Sequence, residues 1–305
     1  MADLVQAAVI LNASAGDGCN AEFADSLAAR FQSLGLGVRV TLAATGEELI
    51  EAARGAVSEG VKTIVAGGGD GTLNAVASVL LGSDVAFGIL PLGTLNHFAK
   101  DLDIPLALDE AIAVIAQGHC IRVDAGEIND RLFLNNSSLG LYPDTVRSRE
   151  RQQRQLGRGK WLAFFWAAVA ALRRYPFLDL TIYVDQQAHQ RRTPFVFIGN
   201  NRYVMEGFNI GARERLDEGT LSLYVVQRTG RLGLLALALR ALFGRLRQAR
   251  DFDMLCAKKI VIGTRHKQIR VATDGEVKRL DAPLHYRIRP AALKVIVPRN
   301  SPPDA

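Results

Sequence analysis

Two glycine-containing turns, each directly after an apolar run, are the residues of this chain best suited to bind a phosphate. Residues 67–76 read GGGDGTLNAV after the apolar segment VKTIVA, and residues 91–99 read PLGTLNHFA after VAFGIL. Glycine lets the backbone approach a ligand closely, and the N–H groups at a helix start point toward a bound anion. Asp70 in the first turn would repel a phosphate unless a metal ion such as Mg²⁺ intervenes. These residue types predict a site for a nucleotide with its magnesium ion.

A third turn of small residues, NASAG at positions 12–16, follows the first apolar run of the chain. Turns that follow parallel strands meet at one edge of a sheet, which is where ligands bind in such folds. For any one turn alone, a tight strand-to-helix connection without a ligand is an equal alternative. The three turns together predict a nucleotide-binding cleft.

The nucleotide motifs of other folds fit this chain poorly. The Walker pattern GxxxxGK[ST] is absent, and GxGxxG is not met because Thr72 stands where the third glycine is required. No acidic residue ends the run at 85–90 to bind a ribose, so a nicotinamide enzyme is a weaker alternative. The histidines lack the i, i+4 spacing of a zinc helix, and His97 is expected to cap or pack locally.

A late pair of carboxylates, Asp274 and Glu276 in the sequence DGE, offers proton-transfer chemistry. Phosphoryl transfer needs a base near the attacking hydroxyl, and a positioned carboxylate can serve. In this interpretation Glu276 accepts the proton, while Asp274 orients it or binds metal. An ordinary hairpin turn is the alternative, because Asp-Gly is a strong hairpin signal.

The first third of the chain alternates between strand and helix patterns, with continuously apolar strands. This alternation predicts a parallel sheet covered by helices on both faces. The predicted strands are 6–11, 38–42, 62–66 and 85–90, and the predicted helices are 21–34, 47–57, 73–81, 95–102 and 109–117.

From Ile121 onward, short extended runs separated by turn residues predict an antiparallel β-sandwich. Helical patterns interrupt it at 160–174 and 232–249. The fold class is therefore a Rossmann-like α/β nucleotide domain followed by a β-sandwich domain. The predicted bounds are 1–120 for the first domain, 121–290 for the second, and 291–305 for a C-terminal segment that could return to the first.

Composition agrees with a globular protein of 305 residues, 49% hydrophobic and 22% charged. The net charge of +6 concentrates in 147–160, 231–250 and 265–270, as solvated helix faces or as a surface for anionic partners. The longest apolar run, 162–172, is too short to span a bilayer. The N-terminus does not resemble a signal peptide, and the three cysteines are far apart, so we expect a cytoplasmic protein.

The three motifs together resemble the diacylglycerol-kinase-like lipid kinases, a superfamily that includes bacterial lipid kinases and sphingosine kinases. The family signature is similar to GGGDGTxNEV, PLGTxNDFA and a late DGE, in that order. The resemblance covers residues 12 to about 297. It implies the same two domains with an active-site cleft between them, ATP and Mg²⁺ as cofactors, and phosphorylation of a lipid hydroxyl.

The resemblance also implies roles for individual residues. Glu276 matches the family's proton acceptor, and a second, structural metal is implied at the carbonyls of Arg215 and Thr220 with the side chain of Glu218. Asp70 and Asp274 accompany Glu276 as expected catalytic residues. The expected nucleotide contacts are Asn12, Ala13, Ser14, Ala15, Gly16, Thr41, Gly68, Gly69, Asp70, Gly71, Thr72, Leu73, Asn74, Ala75, Gly93 and Thr94.

The chain departs from the family pattern at four places. Ala75 replaces a glutamate, His97 and Glu218 each replace an aspartate, and the first turn lacks a proline. Asp70, Asp274 and Glu276 are retained, which favours an enzyme over a lipid or nucleotide sensor that kept the cleft. A kinase with a non-lipid acceptor, similar to NAD kinases, is the other alternative.

The expected partners follow from a lipid acceptor. Aromatic residues 161–166 beside a basic run, and the amphipathic segment 232–249, predict transient contact with a membrane surface. Two core helices with solvated basic edges are the alternative. No nucleic-acid partner is expected, and a homodimer is compatible with the sequence.

Overall fold

A computed structural model describes residues 6–15, 19–140, 177–184, 187–206, 209–213, 215–226 and 252–299. The predicted helices at 160–174 and 232–249, and the basic runs at 147–160 and 231–250, lie outside these ranges. The backbone divides into two compact units, one formed by residues 1–125 with 289–305 and the other by residues 126–288. Among the described helices, none combines the length and hydropathy that crossing a membrane requires.

The elements follow one another along the chain with helices confined to the first unit in the described ranges. The helices are α1 (Ala21–Ser33), α2 (Gly46–Ser58), α3 (Asp70–Leu80), α4 (His97–Asp101) and α5 (Leu108–Gln117). The strands are β1 (Ala7–Asn12), β2 (Val38–Ala43), β3 (Thr63–Gly68), β4 (Ala86–Pro91), β5 (Cys120–Ile128), β6 (Arg131–Phe133), β7 (Asn136–Gly140), β8 (Leu178–Val184), β9 (Gln187–Thr193), β10 (Phe195–Asn200), β11 (Tyr203–Glu206), β12 (Asn209–Arg213), β13 (Leu221–Val226), β14 (Phe252–Ala257), β15 (Lys259–Thr264), β16 (Gln268–Thr273), β17 (Glu276–Asp281) and β18 (Leu284–Ile296).

The first unit is built on a parallel sheet in the order β2-β1-β3-β4-β18. Consecutive residues of β1, β3 and β4 are buried, and successive side chains of a strand point to opposite faces. Both faces of the sheet are therefore covered, which explains why these strands are continuously apolar in the sequence. The carboxyl ends of β1, β3 and β4 carry the three small-residue turns.

The second unit is a sandwich of antiparallel strands. One layer runs in the order β14-β13-β10-β7-β16-β17, and the other contains β18, β15, β8 and β9. Side chains from both layers form one core, for example Leu139, Val196 and Val271 from the first with Ile182 and Ile262 from the second. The predicted fold class, a parallel α/β unit and an antiparallel β-sandwich, is confirmed.

Several element bounds differ from those the sequence predicted. Helix α3 begins at Asp70 and not at residue 73, because Gly69 is its extended N-cap and the next residues are already helical. Helix α4 spans only His97–Asp101, since Asn96 before it takes a left-handed conformation with φ of 50°. Strand β5 crosses from the first unit into the second, and the predicted domain boundary after residue 120 falls at its first residue.

Strand β18 begins in the second unit and ends in the first, and its path contains a left-handed residue. Ala291 has φ of 48°, and its N–H donates to Asp124 Oδ1 at 2.8 Å. Asp124 is buried, so the carboxylate holds the backbone of β18 in this conformation. The left-handed region is costly for alanine because its Cβ approaches the backbone, whereas glycine adopts it without that cost.

We expect Ala291→Gly to raise the free energy of unfolding by up to about 1 kcal/mol, because removing the left-handed penalty outweighs the extra backbone entropy that glycine loses on folding, and the lost methyl group is exposed. Urea titrations of the wild type and the variant measure the difference. Ala292→Gly is the matched control, since Ala292 is buried and lacks a positive φ. It should lower stability, and a loss in both variants would contradict this account of residue 291.

Candidate functional site

The turn GGGDGT is a strand end joined directly to a helix. Gly67 and Gly68 close β3, Gly69 is extended with φ of −89°, and Asp70 opens α3. None of the four glycines of this turn, all of them described, has a positive φ. The conformational freedom of glycine is therefore not what this turn uses. At the start of α3, the N–H groups of Thr72 and Leu73 donate to the Gly69 carbonyl at 2.9 and 3.1 Å, whereas those of Asp70 and Gly71 precede the first bond of the helix.

Close packing requires a glycine at two positions of these turns, Gly68 and Gly93. A Cβ on Gly68 would lie 2.4 Å from Thr72 Oγ1, and a Cβ on Gly93 would lie 2.4 Å from Gly69 Cα. Both distances are far inside van der Waals contact, and the second involves backbone that cannot rotate away. The GGGDGT and PLGT turns therefore touch through their main chains, which places Gly69 and Gly93 side by side.

The carboxylate of Asp70 joins the two turns a second time. Its oxygens accept hydrogen bonds from the backbone N–H groups of His97 at 3.2 Å and Phe98 at 3.1 Å. Asp70 thus supplies the cap of α4, whose own N-cap residue Asn96 makes no such bond to the helix. Each carboxylate oxygen has two lone pairs, so the capping role leaves acceptor capacity for a cation. The fit to a hard cation such as Mg²⁺ rests on this oxygen chemistry.

Asn96 shapes the PLGT turn, and the sequence analysis did not identify it. Its side chain accepts from the Gly93 N–H at 3.0 Å and donates to the carbonyls of Pro91 at 3.1 Å and Gly93 at 2.8 Å. Asn96 is buried and left-handed, and asparagine tolerates that conformation better than most residues. An asparagine two residues after Gly-Thr was the available signal.

The first turn is tied to α3 by a side-chain hydrogen bond. Asn12 Nδ2 donates to Thr72 Oγ1 at 3.0 Å, and Asn12 Oδ1 accepts from the Ser14 N–H at 2.9 Å. Ala13 and Ser14 are exposed, Ala15 is half-buried, and Gly16 lies outside the described residues. The structure therefore brings Asn12 to the GGGDGT turn.

The other predicted nucleotide contacts differ in how they could reach a ligand. Thr41 is exposed and lies within β2 opposite Ile10, two positions before the strand ends at Ala43. The side chain of Leu73 is fully buried, and its N–H donates to the Gly69 carbonyl at 3.1 Å. Thr94 is exposed beside Gly93. The remaining predicted contacts, Gly71, Asn74 and Ala75, lie on the first turns of α3.

In the second unit, the DGE sequence forms a hairpin. Asp274 and Gly275 have φ of 47° and 84°, and Thr273 pairs with Glu276 across them. Positive φ at both central residues is typical of a two-residue type I′ turn. The hairpin alternative is therefore correct for the backbone, and Asp274 does not share a strand face with Glu276.

The two carboxylates of this hairpin have different surroundings. Asp274 accepts backbone N–H groups from Leu134 at 2.7 Å, Asn135 at 2.8 Å and Asn136 at 3.1 Å. Glu276 is exposed and lies 2.9 Å from the Lys278 ammonium. Asp274 is thus committed to the main chain, whereas Glu276 is open to a reactant.

The turn with the predicted structural-metal ligands is rich in arginine contacts. Arg215 donates to both oxygens of Asp217, at 2.9 and 3.0 Å, and this pairing lowers the pKa of that carboxyl. Glu218 accepts the Arg202 N–H at 3.2 Å, and the Thr220 carbonyl accepts the Asn201 N–H at 3.0 Å. Within the described ranges, no group of three or more His, Cys, Asp and Glu side chains is placed to hold a metal ion.

We expect Gly93→Ala to lower the free energy of unfolding by about 2 kcal/mol, because its Cβ would overlap the backbone of Gly69. Gly69→Ala is the matched control, since its Cβ would lie 3.5 Å from Gly93 Cα and its φ suits any residue. The control should lose less than about 1 kcal/mol. Urea unfolding measures both, and equal losses would show that the contact between the turns is not rigid.

Comparison with known proteins finds one family model for each of the two parts of the chain. Residues 6–128 match the family model described as "Diacylglycerol kinase catalytic domain". Residues 144–297 match the model described as "YegS C-terminal NAD kinase beta sandwich-like domain". These two matches correspond to the two sets of candidate residues, one at the glycine turns and one at the DGE hairpin.

Individual relatives extend the match along the chain. A protein named "Probable lipid kinase YegS" from Salmonella arizonae is 28% identical over 313 residues, covering 99% of each chain. Its namesake from Salmonella gallinarum is 30% identical over 80% of each chain. The namesake from Escherichia fergusonii is 34% identical, but the chain spans only 54% of that relative's length.

The fold comparison points the same way. A crystal structure described as a diacylglycerol kinase from Bacillus anthracis str. Sterne is similar with a TM-score of 0.69. It is 21% identical, and the match covers 98% of this chain and 99% of that one. At this identity the likeness concerns the fold alone. With the family models and the full-length relatives, it leads to one assignment: the chain belongs to the diacylglycerol-kinase-like family of lipid kinases.

Proposed function

We propose that this protein is an ATP- and Mg²⁺-dependent lipid kinase that transfers the γ-phosphate to a hydroxyl group of diacylglycerol or a related lipid. The observation that carries the proposal is the contact of the two glycine turns at Gly69 and Gly93. It concentrates main chain, helix-start N–H groups and one carboxylate at the end of β3 and β4. Backbone N–H groups and a nearby carboxylate are what a metal-bound nucleotide needs.

The proposal assigns the nucleotide to the first unit. Of the N–H groups at residues 68–72, that of Thr72 already donates to the Gly69 carbonyl, so those of Asp70 and Gly71 at the helix start would hold the phosphate oxygens. The Asn12–Thr72 hydrogen bond would keep the first turn beside them. Asp70 would hold Mg²⁺, directly or through water, with the lone pairs that capping α4 leaves. The ion, when bound, neutralises charge that develops on the phosphates during transfer.

The proton acceptor is assigned to the second unit. Glu276 is exposed, so a lipid hydroxyl can reach it within hydrogen-bond distance, as a general base requires. Asp274 fits the orienting role better than metal binding, because three backbone N–H groups already use its oxygens.

A lipid acceptor also supports the expected cytoplasmic location with peripheral, transient membrane contact. The substrate resides in the bilayer, so the enzyme must reach its surface to act. The segments predicted to make that contact lie outside the described residues, and the homodimer stays a prediction.

Transfer of labelled γ-phosphate from ATP with Mg²⁺ into a panel of lipids in mixed micelles tests the function. We expect label in a hydroxylated lipid, and we expect Glu276→Gln to lower kcat about 1,000-fold with little change in KM for ATP. Glutamine keeps the size of the side chain but cannot accept the proton at neutral pH.

Asp281→Asn is the matched control for this variant. Asp281 is an exposed carboxylate on the same strand, where it accepts from Gln268 Nε2 at 3.0 Å, so its loss should leave kcat unchanged. Nucleotide binding without label in any lipid would favour the sensor or a non-lipid acceptor. Equal activity of Glu276→Gln and the wild type would refute the assigned base.

The structural metal at Arg215, Glu218 and Thr220 remains a proposal with its own test. Its donors are oxygens, as Mg²⁺ prefers, although Arg202 beside Glu218 competes as a cation. If these three residues bind a metal ion, Mg²⁺ added without nucleotide should raise the melting temperature of the wild type but not that of Glu218→Gln. Asp281→Asn should respond like the wild type. An identical Mg²⁺ response in Glu218→Gln would remove Glu218 from the ligand set.

A further inference from the structure

The hairpin that carries Glu276 is anchored through Asp274. The turn between β16 and β17 has only Asp274 and Gly275 at its centre, so the position of Asp274 fixes that of Glu276. Besides accepting three N–H groups with its carboxylate, Asp274 donates its own N–H to the Asn136 carbonyl at 3.0 Å. The anchor is therefore the segment at residues 134–136, between β6 and β7.

That segment is held from its other side by Arg213. Arg213 Nη1 donates to the Leu134 carbonyl at 2.8 Å, and Nη2 donates to Asn135 Oδ1 at 2.9 Å. Nη1 also reaches the Asn200 carbonyl at 3.2 Å. The guanidinium lies 5.6 Å from the centre of the Tyr203 ring, and the residue is only 7% exposed. Both the hydrogen bonds and the packing fix its position.

One peptide group links the arginine to the aspartate. The carbonyl of the Leu134–Asn135 peptide accepts from Arg213, and its N–H donates to Asp274 Oδ1 at 2.8 Å. A trans peptide points its C=O and N–H in opposite directions, so a cation at one end and an anion at the other both strengthen its hydrogen bonds. The next peptide group, between Asn135 and Asn136, is also held at both ends. Its carbonyl accepts from the Asn200 N–H at 2.9 Å, and its N–H donates to Asp274 Oδ1 at 3.1 Å.

A buried guanidinium is expensive, and apolar residues of similar size can fill space at lower cost. Arginine suits this position because several acceptors lie side by side, and only a guanidinium offers them a planar array of donors. Resting on the proposed lipid kinase function, we propose that Arg213 is a positioning residue for Glu276, acting through residues 134–136 and Asp274. It does not touch the reactants, and its effect is on how the proton acceptor is presented.

The kinetic test compares Arg213→Met, Asp274→Asn and the double variant in the phosphate-transfer assay. We expect Arg213→Met to lower kcat about 100-fold, the scale of a small misplacement, with KM for ATP unchanged. In the Asp274→Asn background the same change should have little further effect, because residues that act as one unit are not additive. Unchanged kcat in folded Arg213→Met, or independent effects that multiply in full, would overturn the proposal.

Two further variants guard against a purely structural explanation. Arg287→Met removes another arginine of the same unit, paired with Glu127 and Asp130 but not with the hairpin, and should leave kcat unchanged. Arg213→Lys keeps the charge and serves if Arg213→Met does not fold. We expect it to lower kcat as well, because an ammonium lacks the planar donor pair that holds Leu134 and Asn135 together. Wild-type kcat in folded Arg213→Lys would show that the paired contacts do not matter.

Amide hydrogen exchange separates this proposal from the assigned activity. The N–H groups of Leu134, Asn135 and Asn136 should exchange faster in the Arg213 variants than in the wild type or Arg287→Met. If the wild type transfers no phosphate, the proposed function fails while exchange still decides whether Arg213 holds the hairpin. Unaltered exchange at these amides would overturn the positioning role, whatever the activity.

Discussion

Backbone N–H groups in the turns of both units lack partners in strands or helices, and two aspartates supply those partners. Asp70 accepts from the start of α4, and Asp274 accepts from the segment before β7. Unpaired N–H groups away from water are costly, and hydrogen bonds to an ionised acceptor are worth about 1.5–3 kcal/mol each. Each aspartate therefore joins two chain segments far apart in sequence: Asp70 joins the two glycine turns, and Asp274 joins the hairpin of Glu276 to residues 134–136.

This arrangement explains why one departure from the family signature is compatible with the site. His97 contributes its backbone N–H to Asp70, and its side chain is exposed. Histidine therefore supplies that hydrogen bond as well as the usual aspartate would. Ala75 is half-buried on α3. It lies beyond the first turn of that helix, where the proposed phosphate contacts are. The hydrogen bonds that join the two glycine turns through Asp70 therefore use neither the His97 side chain nor the Ala75 side chain.

The sequence predicted the architecture well, because buried parallel strands and amphipathic helices have distinct periods. It misplaced the start of α3, since an aspartate between glycines resembles a loop and only the extended Gly69 shows where the helix begins. That the glycines serve a ligand stays a prediction, and the sequence did not reveal that Gly68 and Gly93 are also required by contacts with Thr72 and Gly69. Such contacts depend on tertiary structure, and a motif does not reveal them.

Longer-range parts of the site were beyond sequence reasoning for a related reason. The Asn135–Arg213 hydrogen bond joins residues 78 positions apart, and Asp274 reaches Asn135 across 139 positions. Neither Arg213 nor residues 134–136 lies in a recognisable motif. Asn96 was closer to being found, because its left-handed conformation and its place after Gly-Thr are both features of asparagine turns.

The hairpin at Asp274–Glu276 shows how a turn and the proposed proton acceptor can be the same three residues. Asp274 adopts a positive φ, which costs a non-glycine residue about 1 kcal/mol or more, and its three N–H partners offset that cost. Gly275 takes the second positive φ without a side chain to strain. The fixed turn then leaves Glu276 as the first residue of β17, held at its backbone and exposed at its carboxylate. A proton acceptor needs both properties, because it must be placed reliably and still be reached by the substrate.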